Sequence, residues 1–165
     1  MEKLAVAAIA TRRNFLLLSI SLPWVKRAHA HHGWSSFDQD RPVYLEGKAR
    51  KVKWQNPHVE IELALPAVLS LPADLTSRAV PAQTAPVLGK ELLAKAVVPK
   101  RKDPVWEIEF APLTRMQAWN VPEIKVGTSV SVLGFTFKDE NGSATLRVEY
   151  LWLDGKAYAL RSSPA

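Results

Sequence analysis

The sequence has no cysteine and contains only four histidines, seven glycines and two methionines. Without cysteine the protein has no disulfide, no thiol nucleophile and no thiolate metal site, so the hydrophobic core alone must hold the fold. The motifs of serine hydrolases, zinc peptidases and phosphate-binding glycine loops are absent as well. We therefore expect a non-enzymatic protein, and the sequence establishes no cofactor.

The sequence also has no apolar run long enough to span a bilayer. The N-terminal run at 15–25 instead has the length of a signal-peptide core, with basic residues before it. Ala28 and Ala30 follow at the spacing that signal peptidase recognises. We therefore predict that residues 1–30 are a cleaved export signal and that His31 begins the mature protein. An uncleaved membrane anchor is the alternative.

Arg12 and Arg13 lie in the stretch TRRNFL, which is similar to the twin-arginine export signal. Proteins that use this route cross the membrane already folded. A chance pair of arginines in an ordinary secretory signal is the alternative. Either route predicts a periplasmic or secreted protein that contacts the membrane only during export.

The net charge of +6 belongs mainly to the predicted signal. Residues 1–30 carry five of the 22 basic and one of the 16 acidic residues, which leaves the mature chain at +2. A net charge this small gives no support for a nucleic-acid partner. We expect an envelope protein or a small ligand instead.

Alternating apolar and polar residues predict five or six strands with turns between them. The first two strands form a hairpin around Asn56-Pro57, and Gly47 marks a bend in the first of them. A short helix at 113–120 separates the third strand from the fourth. This order predicts a mainly β domain over residues 31–165 that forms a small OB-like Greek-key barrel, with a β-sandwich as the alternative.

Residues 66–104 differ from the rest of this domain, because six prolines punctuate a stretch rich in alanine, leucine and valine. We predict a surface insertion in the barrel that is partly flexible and contains one short helix within 87–98. A separate helical subdomain is the alternative, which the density of prolines disfavours.

Two pairs of glutamates alternate with apolar residues in the predicted strands. Glu60 and Glu62 form one pair, and Glu107 and Glu109 form the other. Paired carboxylates can serve acid–base catalysis, but regular alternation is typical of a strand with one solvated face. We expect both pairs to lie on such a face.

Several motifs of the predicted mature chain resemble a family of small exported bacterial proteins of unknown function. The shared features are a His-His start, a nearby phenylalanine, a W-x-N-P-H motif and a late V-G-x-x-V-x-V-x-G segment. The resemblance implies export and a small β-barrel, and it supplies no activity or catalytic residue. The residues that carry it are His31, His32, Phe37, Gly47, Trp54, Asn56, Pro57, His58, Gly127, Val130, Val132 and Gly134.

Three of the four histidines become candidate metal ligands once the signal is removed. A chain that starts at His31 presents an α-amine and an imidazole on one residue, and His32 adds a second imidazole. Nitrogen donors of this kind suit Cu(II), which also leads the divalent metals in affinity. We predict a copper site at His31 and His32, closed by His58 if the N-terminal arm folds against the first hairpin. A mobile arm and an unrelated turn histidine are the alternative.

The tryptophans are candidates for stacking on sugars or bases, although packing is their common role. Trp34 and Trp119 lie outside the regular strands and form the predicted ligand surface. Together these features predict an exported binding domain that holds copper. The alternative is an interaction module for an envelope protein that uses the tryptophan-bearing surface and the insertion. A copper-dependent oxidant is a more distant alternative.

Overall fold

The computed structural model describes residues 33–165. The predicted export signal, with Arg12, Arg13, Ala28 and Ala30, lies outside the described residues, and so do His31 and His32. Of the three histidines predicted to bind copper, the structure therefore describes His58 alone.

Within this part of the chain, six strands and two short helices are joined by loops and three short 3-10 turns. No helix among the described residues is both long and apolar enough to cross a bilayer. The strands are β1 (Val43–Lys53), β2 (Glu60–Ala64), β3 (Val105–Glu109), β4 (Ser129–Phe135), β5 (Thr145–Leu153) and β6 (Lys156–Ala159). The helices are α1 (Gly89–Lys95) and α2 (Leu113–Ala118).

The sequences of β2 and β3 explain why these segments become strands. Both alternate buried apolar residues with glutamates on the opposite face. The strands pair antiparallel, with Ile61 opposite Ile108 and Leu63 opposite Trp106. The apolar side chains therefore point together into one core, and the glutamates point outward.

Five of the strands close into a barrel. β1 pairs antiparallel with both β2 and β4, β2 pairs with β3, and β4 pairs with β5. The circle is completed by a parallel pairing of β3 with β5. With α2 between β3 and β4, this closed order confirms the predicted small OB-like barrel and excludes the sandwich. β6 extends the sheet from β5 as an antiparallel hairpin.

Gly47 lies where β1 leaves β4 and begins to pair with β2. A Cβ at this position would lie 2.1 Å from the carbonyl oxygen of Ala64, so only glycine permits this approach of the two strands. The register shift follows slightly later, between Ala49 and Lys51. The sequence predicts a bend at Gly47, and in the structure β1 passes very close to β2 at this residue. The irregular pairing of β1 with β2 lies two to four residues further along the chain.

The barrel interior is filled by large apolar side chains from every barrel strand and from α2. Trp106, Ile108, Phe110 and Met116 are all fully buried there. Met116 comes from α2, so this helix adds to the same core as β3 and β4, the strands on either side of it in the sequence.

The insertion forms a second, smaller core on the outside of the barrel. Leu75 and Leu93 of the insertion pack with Tyr44, Leu133 and Tyr150 on the outer face of β1, β4 and β5. Helix α1 lies within the stretch predicted to be helical. It starts at Gly89, where a Cβ would lie 2.5 Å from the hydroxyl oxygen of Tyr150, so the helix rests directly against the barrel.

Candidate functional site

His58 lies in the loop between β1 and β2, immediately after the Asn56–Pro57 turn. The side-chain oxygen of Asn56 accepts a hydrogen bond from the backbone amide of Leu113 at 3.3 Å, which ties this loop to the start of α2. The next residue, Val59, exchanges backbone hydrogen bonds with Ala111 and Phe110. These contacts hold His58 beside the end of β3, with 15% of its side chain exposed.

Glu109 and Arg147 meet His58 at this end of the barrel. The parallel pairing of β3 with β5 places Glu109 opposite Arg147. The Nη1 of Arg147 donates to Oε1 of Glu109, and Nη2 of Arg147 lies 3.3 Å from Nε2 of His58. The Nδ1 of His58 lies 3.2 Å from the same Glu109 oxygen. These three residues are named the HER cluster below.

The HER cluster is covered by the N-terminal arm and the C-terminal tail. The guanidinium carbon of Arg147 lies 5.2 Å from the ring centre of Trp34, and that of Arg161 lies 4.0 Å from it. Burial lowers the pKa of Arg147; the charge of Glu109 opposes this effect, and the charges of Arg115 and Arg161 add to it. The HER cluster is therefore partly shielded from water. The charges that act on Arg147 are one carboxylate, that of Glu109, and two guanidinium groups, those of Arg115 and Arg161.

A second buried carboxylate supports the covering tail. Glu149 of β5 is fully buried and accepts a hydrogen bond from Nε of Arg161 at 2.6 Å. Gln83 of the insertion donates to the other oxygen of the same carboxylate at 2.9 Å. Burial raises the pKa of Glu149, an effect that Arg161 and Gln83 oppose. Arg161 is thereby fixed in place over Trp34.

The arm that follows His31 and His32 in the sequence is docked on the barrel. Phe37 is buried and stacks on Phe137 with ring centres 4.9 Å apart, and Trp34 meets Phe135 edge-on at 6.2 Å. The backbone amide of Asp38 donates to the carbonyl of Thr136 at 2.9 Å. From Gly33 onward, the chain is therefore held against the barrel by packing and hydrogen bonds.

The two tryptophans predicted as a ligand surface both make contacts within the protein. Trp34 is half-buried between Arg147 and Arg161, as described above. Trp119 is half-buried as well, packs against both cores and donates its Nε1 hydrogen to the carbonyl of Ser162 at 2.8 Å. The two rings are thus used to hold the arm and the C-terminal tail.

Within residues 33–165 no three histidine, aspartate or glutamate side chains are grouped so that they could hold a metal ion. His58 itself has the guanidinium of Arg147 beside its Nε2. A positive charge at this distance opposes the approach of a metal cation to that nitrogen.

Sequence reasoning missed the burial of Glu109, which was predicted to lie on a solvated face. Glu60 and Glu62 fit that prediction, since they pair with the exposed Lys53 and Lys51 across the sheet. Glu109 is only 9% exposed, and His58 and Arg147 both contact its carboxylate. The register of β3 against β5 would have indicated that Glu109 is buried, because it places Arg147 directly beside Glu109.

Residues 18–80 match the model of a family described as a family of unknown function, DUF6152. The match confirms the predicted resemblance to such a family, and its range includes His31, His32 and the W-x-N-P-H motif. It ends before the late glycine–valine segment. No curated protein and no solved structure matches the chain significantly.

Proposed function

We propose that this protein is an exported, non-enzymatic binding domain that holds a copper ion at its mature N-terminus through His31 and His32. Cleavage after Ala30 creates the α-amine on which the site depends. That amine and two imidazoles give three nitrogen donors within two residues. The amine has an ordinary pKa of about 7.7–8.0, so protons compete only modestly with the metal near neutral pH.

The docked arm is the observation that carries the proposal. Trp34 and Phe37 fix the chain that follows the two histidines. A fixed arm loses less conformational freedom when its end chelates an ion than a free arm would. Docking from Trp34 onward therefore lowers the entropic cost of binding an ion at the chain end.

The proposed site uses His31 and His32 as donors, and His58 is left to the HER cluster. The sequence pattern alone offered His58 as a third imidazole. Its two ring nitrogens face Glu109 and Arg147 in the structure, and the guanidinium charge disfavours a metal there. His58→Ala is therefore the matched control for His31→Ala.

The test uses protein recovered from the periplasm of an expressing bacterium. Intact mass is expected to show a chain that begins at His31, and titration with Cu(II) is expected to give one bound ion per chain. His31→Ala should lose this binding, whereas His58→Ala should keep it. A correctly processed protein without affinity for Cu(II), or full binding by His31→Ala, would overturn the proposal.

A second candidate function is an interaction module of the cell envelope, and one observation favours it. Three large apolar side chains of the insertion are exposed: Val68 by 84%, Leu71 by 41% and Leu88 by 67%. Covering such side chains with a partner removes apolar surface from water, which stabilises a protein complex. A photo-crosslinking residue at Val68 should then give one defined adduct in the periplasm, and the same adduct should form in His31→Ala. The absence of a defined adduct counts against this candidate.

A further inference from the structure

The outer face of β1, β4, β5 and β6 carries two neighbouring rows of side chains that differ in character. The first row is Tyr44, Leu133, Tyr150 and Ala159. The second row is Glu46, Ser131, Trp152 and Ala157. The insertion packs on the first row through Leu75, Leu93 and Ala96. The second row, which is the more polar one, forms the floor of a groove.

The groove is large enough for a small organic ligand. Its volume is about 870 Å³, which lies within the usual range of ligand sites. Asp74 and Arg78 of the insertion form one wall, and the turn at Asp154 forms part of another. The groove therefore exists because the insertion covers only half of the outer face.

Arg78 gives this groove a fixed wall. Its guanidinium carbon lies 5.6 Å from the ring centre of Tyr44 and 5.3 Å from that of Trp152. Asp74 accepts a hydrogen bond from its Nε at 3.1 Å. The Tyr44 hydroxyl accepts from Arg78 at 3.3 Å and donates to Glu46 at 2.5 Å. These bonds connect the wall to the floor, so the polar groups are positioned before any ligand arrives.

Other polar groups in the groove remain available to a ligand. Lys48 and Asp154 are exposed at its rim, and within residues 33–165 neither forms an ion pair. The hydroxyl of Ser129 is exposed beside them, and Trp152 is half-buried and lines the groove. The site thus offers an aromatic surface with hydrogen-bond donors and acceptors around it.

The balance of charge selects the class of ligand. Three carboxylates, those of Glu46, Asp74 and Asp154, face two cationic side chains, those of Lys48 and Arg78. An anion would meet the carboxylates without enough positive charge to compensate. An organic cation at Trp152 would lie beside the guanidinium of Arg78, whose like charge opposes it. A neutral ligand with many hydroxyl groups and an apolar face meets neither obstacle.

We infer that the groove between the insertion and the outer face of β1, β4, β5 and β6 binds a short neutral carbohydrate. The part of the Trp152 ring that Arg78 leaves exposed contacts the apolar face of a sugar ring, while Lys48, Asp154 and Ser131 exchange hydrogen bonds with its hydroxyl groups. This site is separate from the proposed copper site and does not depend on it.

The experiment is calorimetric titration of the exported protein with cellotriose and with triacetylchitotriose, both neutral trisaccharides. Trigalacturonate and chitotriose serve as anionic and cationic probes of similar length. At least one neutral trisaccharide is expected to bind, and more tightly than either charged probe. Lys48→Ala should weaken this binding about tenfold, as expected when a hydrogen bond from a charged group is lost. Lys51→Ala is the matched control, because Lys51 lies on the same strand outside the groove.

Ser131→Trp provides a second variant that fills the groove and should abolish binding, with Ser70→Trp on the exposed insertion as its control. Thermal unfolding of each variant shows whether it folds. If Ser131→Trp does not fold, the binding of the trisaccharide to Lys48→Ala tests the inference. His31→Ala should bind the trisaccharide like the parent. The inference fails if no neutral trisaccharide binds, if a charged probe binds as tightly, if Lys48→Ala binds like the parent, or if His31→Ala abolishes binding.

Discussion

Glu140 connects three distant segments of the chain through one carboxylate. It accepts hydrogen bonds from the backbone amides of Lys100 and Arg101, both at 2.9 Å, and from the guanidinium of Arg41 at 2.5 Å. Burial alone would raise the pKa of Glu140, but the two amides and Arg41 outweigh it and hold the pKa below its usual range. The end of the insertion is thereby fastened to the loop between β4 and β5.

Glu140→Gln is expected to destabilise the protein by about 2–3 kcal/mol at pH 7, because a charged acceptor is replaced. A depressed pKa means that the folded state holds its proton less tightly than the unfolded state. The contribution is therefore complete above about pH 5 and is lost as the pH falls through the pKa of the folded state. Denaturant unfolding at pH 7 and at low pH should show the difference between parent and variant shrinking. The surface variant Glu62→Gln should show little difference at pH 7.

The ion pair between Glu109 and Arg147 in the HER cluster allows a second prediction for single residues. It concerns the loss of folding stability when a buried charge is left without its partner. Glu109→Met leaves Arg147, which is only 7% exposed, and should destabilise by about 3–5 kcal/mol. Replacing both residues by methionine removes both charges and should cost less than the single change. Urea unfolding of the four proteins in this double-mutant cycle gives the comparison. Equal costs for the single and double variants would show that the charge is not the cause.

At the scale of elements, the insertion acts as part of the barrel's packing. Leu93 of α1 is 1% exposed in the second core, whereas Leu88, just before the helix, is 67% exposed. The same short segment therefore supplies one leucine to the barrel and leaves another outside. The insertion stabilises the outer face of the strands and also provides the wall of the groove.

Leu93→Ala should destabilise the whole barrel by about 2–4 kcal/mol, since it empties a position in the second core. Leu88→Ala removes the same atoms from an exposed position and should change stability by about 0.5 kcal/mol or less. Thermal unfolding of both variants makes the comparison. If the two variants unfold alike, the insertion is not packed on the barrel as described.

The elements were the part of the molecule that sequence reasoning could predict. Alternation in β2 and β3 is a local pattern, and so are the turn at Asn56-Pro57 and the short helix predicted at 113–120. The HER cluster depends on contacts that no local pattern contains. Glu107 and Glu109 look alike in the sequence, and only the positions of Arg147 on β5 and of His58 in the first hairpin loop make Glu109 buried.

The groove was missed for a similar reason. The sequence predicted an insertion with a short helix, but the face that this helix covers is set by the register of three strands. Tyr44 and Glu46 are two residues apart on the same face of β1, yet one is fully buried under the insertion and the other lines the groove. The sequence points to Trp34 and Trp119 as ligand residues, whereas the groove is lined by Trp152 of β5.

At the scale of the whole molecule, the proposed cleavage after Ala30 is expected to lower the net charge of the protein from +6 to +2. The full chain has a net charge of +6 and an isoelectric point near 9.7. Removal of residues 1–30 takes away five basic and one acidic side chain. Isoelectric focusing should therefore place the cleaved form at a lower pH than the full-length form. Identical focusing positions would contradict cleavage.

The parallel pairing of β3 with β5 also sets an order of events in time. The barrel has no closed form until residues 145–147 lie beside β3, and the ribosome makes these residues after β1 to β4. Until then β3 and β4 each present an open sheet edge, which invites pairing with other chains. Synthesis of β5 therefore divides a chain with two open sheet edges from a closed barrel. A nonsense mutation anywhere before β5 should give an insoluble product, however much of the core it retains.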